Sequence, residues 1–265
     1  MCGRFTALSM EELTEVIRSV EEELAAHARE DRGDQSSPWD EEAADLGLGP
    51  AARSQIQPAT TATGTMVTPG SSAAIVVPGA AWAQDQGKCC GSGCSKCRWT
   101  RNPLILKHME MTWGYEVSWQ KGRVFNTRIE HAGDPGSMWA ESLERRRCIV
   151  PARAFFEPHQ HESIISPRTG KAIKRQYVFE PGPNAAARWL LLAGVFSGDC
   201  FSVVTTEPNS LVAPIHNRMP LVLEPADVAT WLSPRFADLA DRSHVQLSAR
   251  PEIENATSIQ QLTLF

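Results

Sequence analysis

Five runs in the second half of the chain are β-branched, aromatic or alternating in character: Arg123 to Arg128, Arg147 to Phe156, Gln176 to Phe179, Trp189 to Phe196 and Phe201 to Thr205. Turn residues separate them, which is the signature of successive strands rather than helices. Thr, Val and Ile runs between Ala51 and Pro78, punctuated by Pro58, Pro69, Gly70 and Pro78, continue the pattern upstream. Helices are predicted at only three places. The first, about Met10 to Arg29, follows a Ser9/Glu12 capping box and carries Leu13, Val16, Ile17, Val20 and Leu24 at helical spacing. The others fall near Met138 to Arg145 and Pro225 to Leu232. There is no internal repeat, and no linker from Leu104 onward. The expected fold is therefore one α+β domain over residues 1–265, mainly mixed or antiparallel sheet, barrel-like, with a few peripheral helices. Residues 31–50, rich in Asp, Glu, Ser and Gly, and residues 79–102, rich in Gly and Cys, read as flexible insertions.

Composition removes several function classes. No apolar run approaches the roughly 18 residues of a membrane-spanning helix, and the start MCGRF lacks the pattern of a signal peptide. The expectation is an intracellular protein. The formal net charge of -5 is unevenly placed: residues 1–50 hold 4 Lys and Arg against 13 Asp and Glu, so the remainder is mildly basic. A nucleic-acid partner stays open on those terms.

Seven cysteines are an odd number, in a chain without a secretory signal, so they read as core filler, ligands or nucleophiles rather than a disulfide framework. Cys89, Cys90, Cys94 and Cys97 form one CxxC and an adjacent pair. Adjacent cysteines serve one tetrahedral ion poorly and no second CxxC follows, so no metal or cofactor is expected. That segment reads instead as an oxidation-sensitive insertion carrying the basic residues Lys96, Arg98 and Arg101. Cys148 and Cys200, in apolar strands, read as core.

Cys2 is the most informative residue. Removal of Met1 leaves an α-amine and a thiol on one carbon framework, both titrating not far above neutrality. Such a 1,2-aminothiol condenses with an aldehyde to an imine and then closes a thiazolidine. Later segments supply accessory chemistry. Glu157, at the end of the apolar run RCIVPARAFFEP, is placed for a burial-raised pKa and proton transfer. Asn126 and Arg128 in FNTRIE lie two apart on one strand face, suited to an intermediate and a phosphate. His216 sits in APIHNRMP. Each alone has a plain explanation as an ion-pair partner, a surface charge or a loop histidine.

The ordered segments MCGRF, QIQPAT, WGYEVSW, FNTRIE, RRRCIVPARAFFEP, TTEPN and IHNRMPLVL resemble the SOS response-associated peptidase (SRAP) family, over most of residues 1–235. The resemblance implies an abasic-site processing activity in which Cys2 attacks the ring-opened aldehyde of an abasic site in single-stranded DNA and ends as a reversible thiazolidine cross-link. It further implies Glu157 as acid/base, His216 as the histidine assisting ring opening and reversal, and Asn126 beside the thiazolidine. Arg4 and Arg128 match phosphate-holding arginines, and Trp113 a tryptophan near the DNA bases. The chain departs from the family pattern at Gln55 to Pro58, where Asn-x-Ala-Pro is usual, and at Pro158 and Asn217, where Trp and Asp are usual. WGYEVSW also lacks the usual proline. Two other readings of the same residues stand beside this one: a thiol peptidase that mainly removes its own Met1, and a noncatalytic single-stranded DNA-binding module.

Overall fold

The computed structural model describes residues 2–30, 64–79, 106–254 and 258–259. In chain order these form β1 (Arg4–Ala7), α1 (Met10–Glu30), β2 (Met66–Val67), β3 (Ser72–Pro78), β4 (Leu106–Trp113), β5 (Tyr115–Glu116), β6 (Arg123–Val124) and β7 (Asn126–Arg128). Then follow α2 (Ile129–Ala132), α3 (Ala140–Arg145), β8 (Arg147–Ile165), β9 (Ala172–Pro181), β10 (Leu190–Ser197) and β11 (Cys200–Thr206). The last elements are β12 (Met219–Pro220), β13 (Val222–Leu223), α4 (Asp227–Leu232), a 3-10 turn (Phe236–Leu239), β14 (Leu247–Pro251) and β15 (Ser258–Ile259). The segments 31–50 and 80–102, including the clustered cysteines, and Gln55 to Pro58 lie outside the described residues. No described helix is long and apolar enough to cross a membrane.

The sheet closes on itself. β8 pairs β3, β3 pairs β4, β4 pairs β11, β11 pairs β10, and β10 returns to β8 over Leu190↔Ala152 to Val195↔Arg147. These pairings are antiparallel except β11 with β4; β7 also joins β11 in parallel. This is the mixed, mainly antiparallel ring that the spacing of apolar runs leads one to expect. Closure brings Gly194 so near β8 that an added Cβ would stand 2.8 Å from the Cys148 Sγ.

Strand periodicity explains the continuous apolar runs. On β3, Ile75 and Val77 point into the ring while Val76 points outward; on β10, Leu190 and Leu192 point in while Leu191 and Ala193 point out. Both faces are covered, so alternation with polar residues is absent. Helix α1 supplies much of the outer cover through Leu13, Val16, Val20 and Leu24. It begins at the expected capping box: the Ser9 N–H donates to Glu12 Oε2 at 2.8 Å, and the Glu12 N–H to Ser9 Oγ at 3.3 Å.

Several boundaries differ from expectation for identifiable reasons. The Arg123 to Arg128 run divides into β6 and β7 at Phe125, since among the described residues β6 pairs with β5 while β7 joins β11. β8 runs on to Ile165 through the polar stretch His159 to Glu162, which lacks apolar alternation; its ladder with β9 lapses there and resumes over Ser163 to Ile165. Cys148 is core, as expected, whereas Cys200 is only half-buried because it starts β11 at the ring's edge.

Candidate active site

β1 delivers the chain start to β8. Arg4 pairs Phe156 and Phe5 pairs Phe155, so Glu157, the next residue of β8, lies where Cys2 enters the sheet. Cys2 is fully buried, with Sγ 3.5 Å from the Arg4 carbonyl oxygen. Burial, and then the Glu157 charge, push its thiol well above the usual range. The ready thiolate that the isolated chemistry of cysteine suggests is thus corrected: at neutral pH this sulfur is a thiol.

Glu157 is itself fully buried, and desolvation carries its carboxyl up to about 8, with the positive chain terminus pulling it back. It is therefore largely protonated at pH 7, as a poised proton donor should be. The His216 ring approaches it, Nδ1 standing 3.8 Å from Glu157 Oε2. Burial lowers the imidazole pKa, leaving the ring neutral, and Nδ1 lies against the Arg218 backbone, 2.9 Å from its carbonyl oxygen and 3.2 Å from its N–H, which orients the ring.

Asn126 reaches the same point from β7. Its Nδ2 donates to the Cys2 carbonyl oxygen at 2.8 Å, and its Oδ1 is buried with no protein partner among the described residues. Parallel pairing of Val203 with Asn126 and Thr205 with Arg128 fixes this strand, reinforced by the buried hydroxyl pair Thr127–Ser202 at 2.8 Å. Arg128 emerges on the same strand face and is exposed.

The pairing of β8 with β9 breaks between Pro158 and Ser163. The bulge turns the Gln160 N–H onto the Ile215 carbonyl at 2.9 Å, tying β8 to the segment that holds His216. Arg218 secures the other side, donating to both Glu130 carboxylate oxygens at 2.8 and 2.9 Å and to the Thr205 carbonyl at 2.8 Å. Asn209 shapes the preceding turn by accepting from the Val212 N–H at 3.0 Å and donating to the Val245 carbonyl at 3.2 Å. Arg218 and Asn209 escape a search for reactive groups, although a Pro-Asn pair before a turn was a legible signal for the second.

The other two sequence candidates are placed differently. Arg4 stacks its guanidinium 4.2 Å over the Phe156 ring and pairs with Glu252 at 2.7 Å. Trp113 requires a correction: it is fully buried, its ring packed on Phe5 and parallel to Phe201, and its Nε1–H donates to the Phe125 carbonyl at 2.8 Å. Period two along β4 turns it inward with Met111, so it is a core residue and presents no face to a base. Gly114, at φ 96°, then turns the chain out of the ring.

Glu224, Asp227 and His244 bring ligand atoms within 4.8 Å of one another. Asp227 Oδ2 already accepts from Arg242 at 2.6 Å and from the Glu224 N–H at 3.0 Å, so this group is an ion-pair cluster at the start of α4.

Residues 1–261 match the family model described as SOS response associated peptidase (SRAP). Among curated relatives, the chain is 27% identical over 134 residues to the abasic site processing protein YoqW of Bacillus subtilis, covering 49% of this chain and 58% of that protein. It is 27% identical over 143 residues to YobE of the same organism, covering 54% and 60%, and 26% identical over 152 residues to the Saccharomyces cerevisiae protein YMR114C, covering 49% and 38%; both carry the same descriptive name. The chain thus spans less than two thirds of these relatives' lengths. A solved Bordetella bronchiseptica protein shares the fold at a TM-score of 0.50 and 16% identity, over 94% of this chain and 99% of that one. With the family model matching nearly every residue, the chain belongs to the SOS response associated peptidase family.

Proposed function

We propose that this protein processes abasic sites in single-stranded DNA by forming a covalent, reversible cross-link through Cys2 after Met1 is removed. The observation that carries the reading is the convergence on Cys2 of a buried protonated carboxyl and a side-chain amide from separate strands. The family assignment and the names of its relatives point the same way.

The α-amine of Cys2 adds to the aldehyde carbon of the ring-opened sugar and gives a carbinolamine. Loss of one water leaves an imine. The sulfur then adds to the carbon of the protonated imine, giving up its proton to the Glu157 carboxylate, and the thiazolidine closes. Because burial keeps the thiol neutral, the amine acts first and the sulfur second. Glu157 donates to the departing hydroxyl and its carboxylate then accepts the thiol proton. His216, neutral beside it, assists ring opening and reversal. Asn126 holds the Cys2 backbone and offers Oδ1 to the amine. Arg4 and Arg128 grip phosphates flanking the lesion.

Incubation with a single-stranded oligonucleotide carrying one abasic site tests this reading: a species of reduced mobility should persist on a denaturing gel, and an intact oligonucleotide should give none. Mobility shifts seen only under native conditions would instead mark a noncatalytic DNA-binding module.

A further inference from the structure

Arg4 does not stand ready for a phosphate in this structure. Its guanidinium carbon stands 4.2 Å over the Phe156 ring, and its Nη2 donates to Glu252 Oε2 at 2.7 Å. Glu252 is itself held in place: it follows β14 directly, where Pro251 pairs Tyr177, and its N–H donates to the Gln176 carbonyl at 2.9 Å. The carboxylate is thus presented by the sheet rather than by a free chain end. Both partners keep partial solvent access, with side-chain exposures of 26% and 31%, so an incoming anion can reach the contact.

A carboxylate and a phosphate compete for the same guanidinium fork, because both offer two oxygens in its plane. The Phe156 ring holds the guanidinium apart from its contact with the carboxylate, so one anion can replace the other while Arg4 stays in place. We propose that Glu252 is an intramolecular occupant of the Arg4 phosphate subsite, which DNA must displace. The inference rests on the cross-linking reading above, in which Arg4 grips a phosphate. Its consequence is selectivity: Glu252 taxes every encounter with single-stranded DNA, and only a lesion that reacts at Cys2 gains a covalent bond to offset the tax.

The test measures binding of undamaged single-stranded oligonucleotide by fluorescence anisotropy across a salt series, for wild type, Glu252→Gln, Arg4→Ala and the double variant. Glu252→Gln should tighten binding about two- to fivefold, the range an exposed ion pair commands. It should also steepen the salt dependence by up to about 0.7, since the wild-type exchange returns a carboxylate to solvent and so releases less counterion. In the Arg4→Ala background both gains should vanish. Weaker binding by Glu252→Gln would make Glu252 a support for Arg4 and overturn the proposal, as would an undiminished gain without Arg4. Loss of the abasic-site adduct in wild type would overturn the cross-linking reading itself, and that outcome is separate because the anisotropy measurement needs no lesion.

Discussion

The side-chain amide of Asn126 donates a 2.8 Å hydrogen bond to the backbone carbonyl of Cys2, across 124 residues of sequence. The contact orients the backbone of the residue whose amine and thiol, in the proposed reaction, meet one carbon atom. It leaves Oδ1 buried with no partner among the described residues, available as an acceptor in the proposed reaction. Asn126→Ala should therefore slow adduct formation about tenfold, the worth of one well-placed hydrogen bond, while leaving the finished adduct stable. Single-turnover kinetics with an abasic oligonucleotide reads this. A wild-type rate would remove Asn126 from the mechanism.

Glu157 couples activity to stability with a defined sign. Its carboxyl is raised from an ordinary 4.5 to about 8, so between those values the folded protein binds a proton that the unfolded chain has lost. Stability from this group is intact below about pH 4.5 and falls steadily as pH rises toward 8. Glu157→Gln removes the penalty. Its melting temperature should exceed that of wild type by a margin that grows from pH 5 to pH 8, while cross-linking slows by about 10²-fold or more. A pH-independent margin would contradict the buried neutral carboxyl.

Trp113 belongs to folding. Trp113→Ala removes the ring packed against Phe5, Phe125 and Phe201, and leaves the Phe125 carbonyl without its indole donor. The cost should be about 3–5 kcal/mol in urea unfolding. Unchanged stability with a selective loss of DNA affinity would return Trp113 to the binding surface.

Arg128 is exposed at the end of β7, on the Asn126 side. Arg128→Ala should weaken noncovalent binding of single-stranded DNA for every sequence tested and flatten the salt slope by about 0.7. Equal binding at all salt concentrations would remove its phosphate contact.

What the sequence made legible, and what it hid, follows from the kind of signal each element carries. Helix α1 was readable end to end because a capping box and a 3.6-residue apolar stripe are both local. The ring strands were readable as apolar runs, yet their partners were not, since pairing β4 and β7 in parallel with β11 depends on contacts far along the chain. At the site, Cys2, Asn126, Glu157 and His216 carried recognisable chemistry. Their supports did not: Gln160 acts through its backbone, and Arg218 reads as one more arginine until Glu130 and Thr205 are seen around it. Trp113 misled for a related reason. Its place near the bases was implied by the family resemblance alone, and only the inward phase of β4 shows that it faces the core. Glu252 had no sequence signal at all, because its meaning lies in the distance to Arg4.

The central claim is that Cys2 supplies both bonds to the lesion, and intact mass spectrometry of the protein before and after incubation with an abasic oligonucleotide tests it most directly. The account predicts a wild-type chain that lacks Met1 and gains the mass of the oligonucleotide less one water. Cys2→Ser should give at best a labile adduct, and Cys2→Ala none that survives denaturation. A stable adduct of the same mass in Cys2→Ala would contradict the account, as would a wild-type protein whose mass does not change.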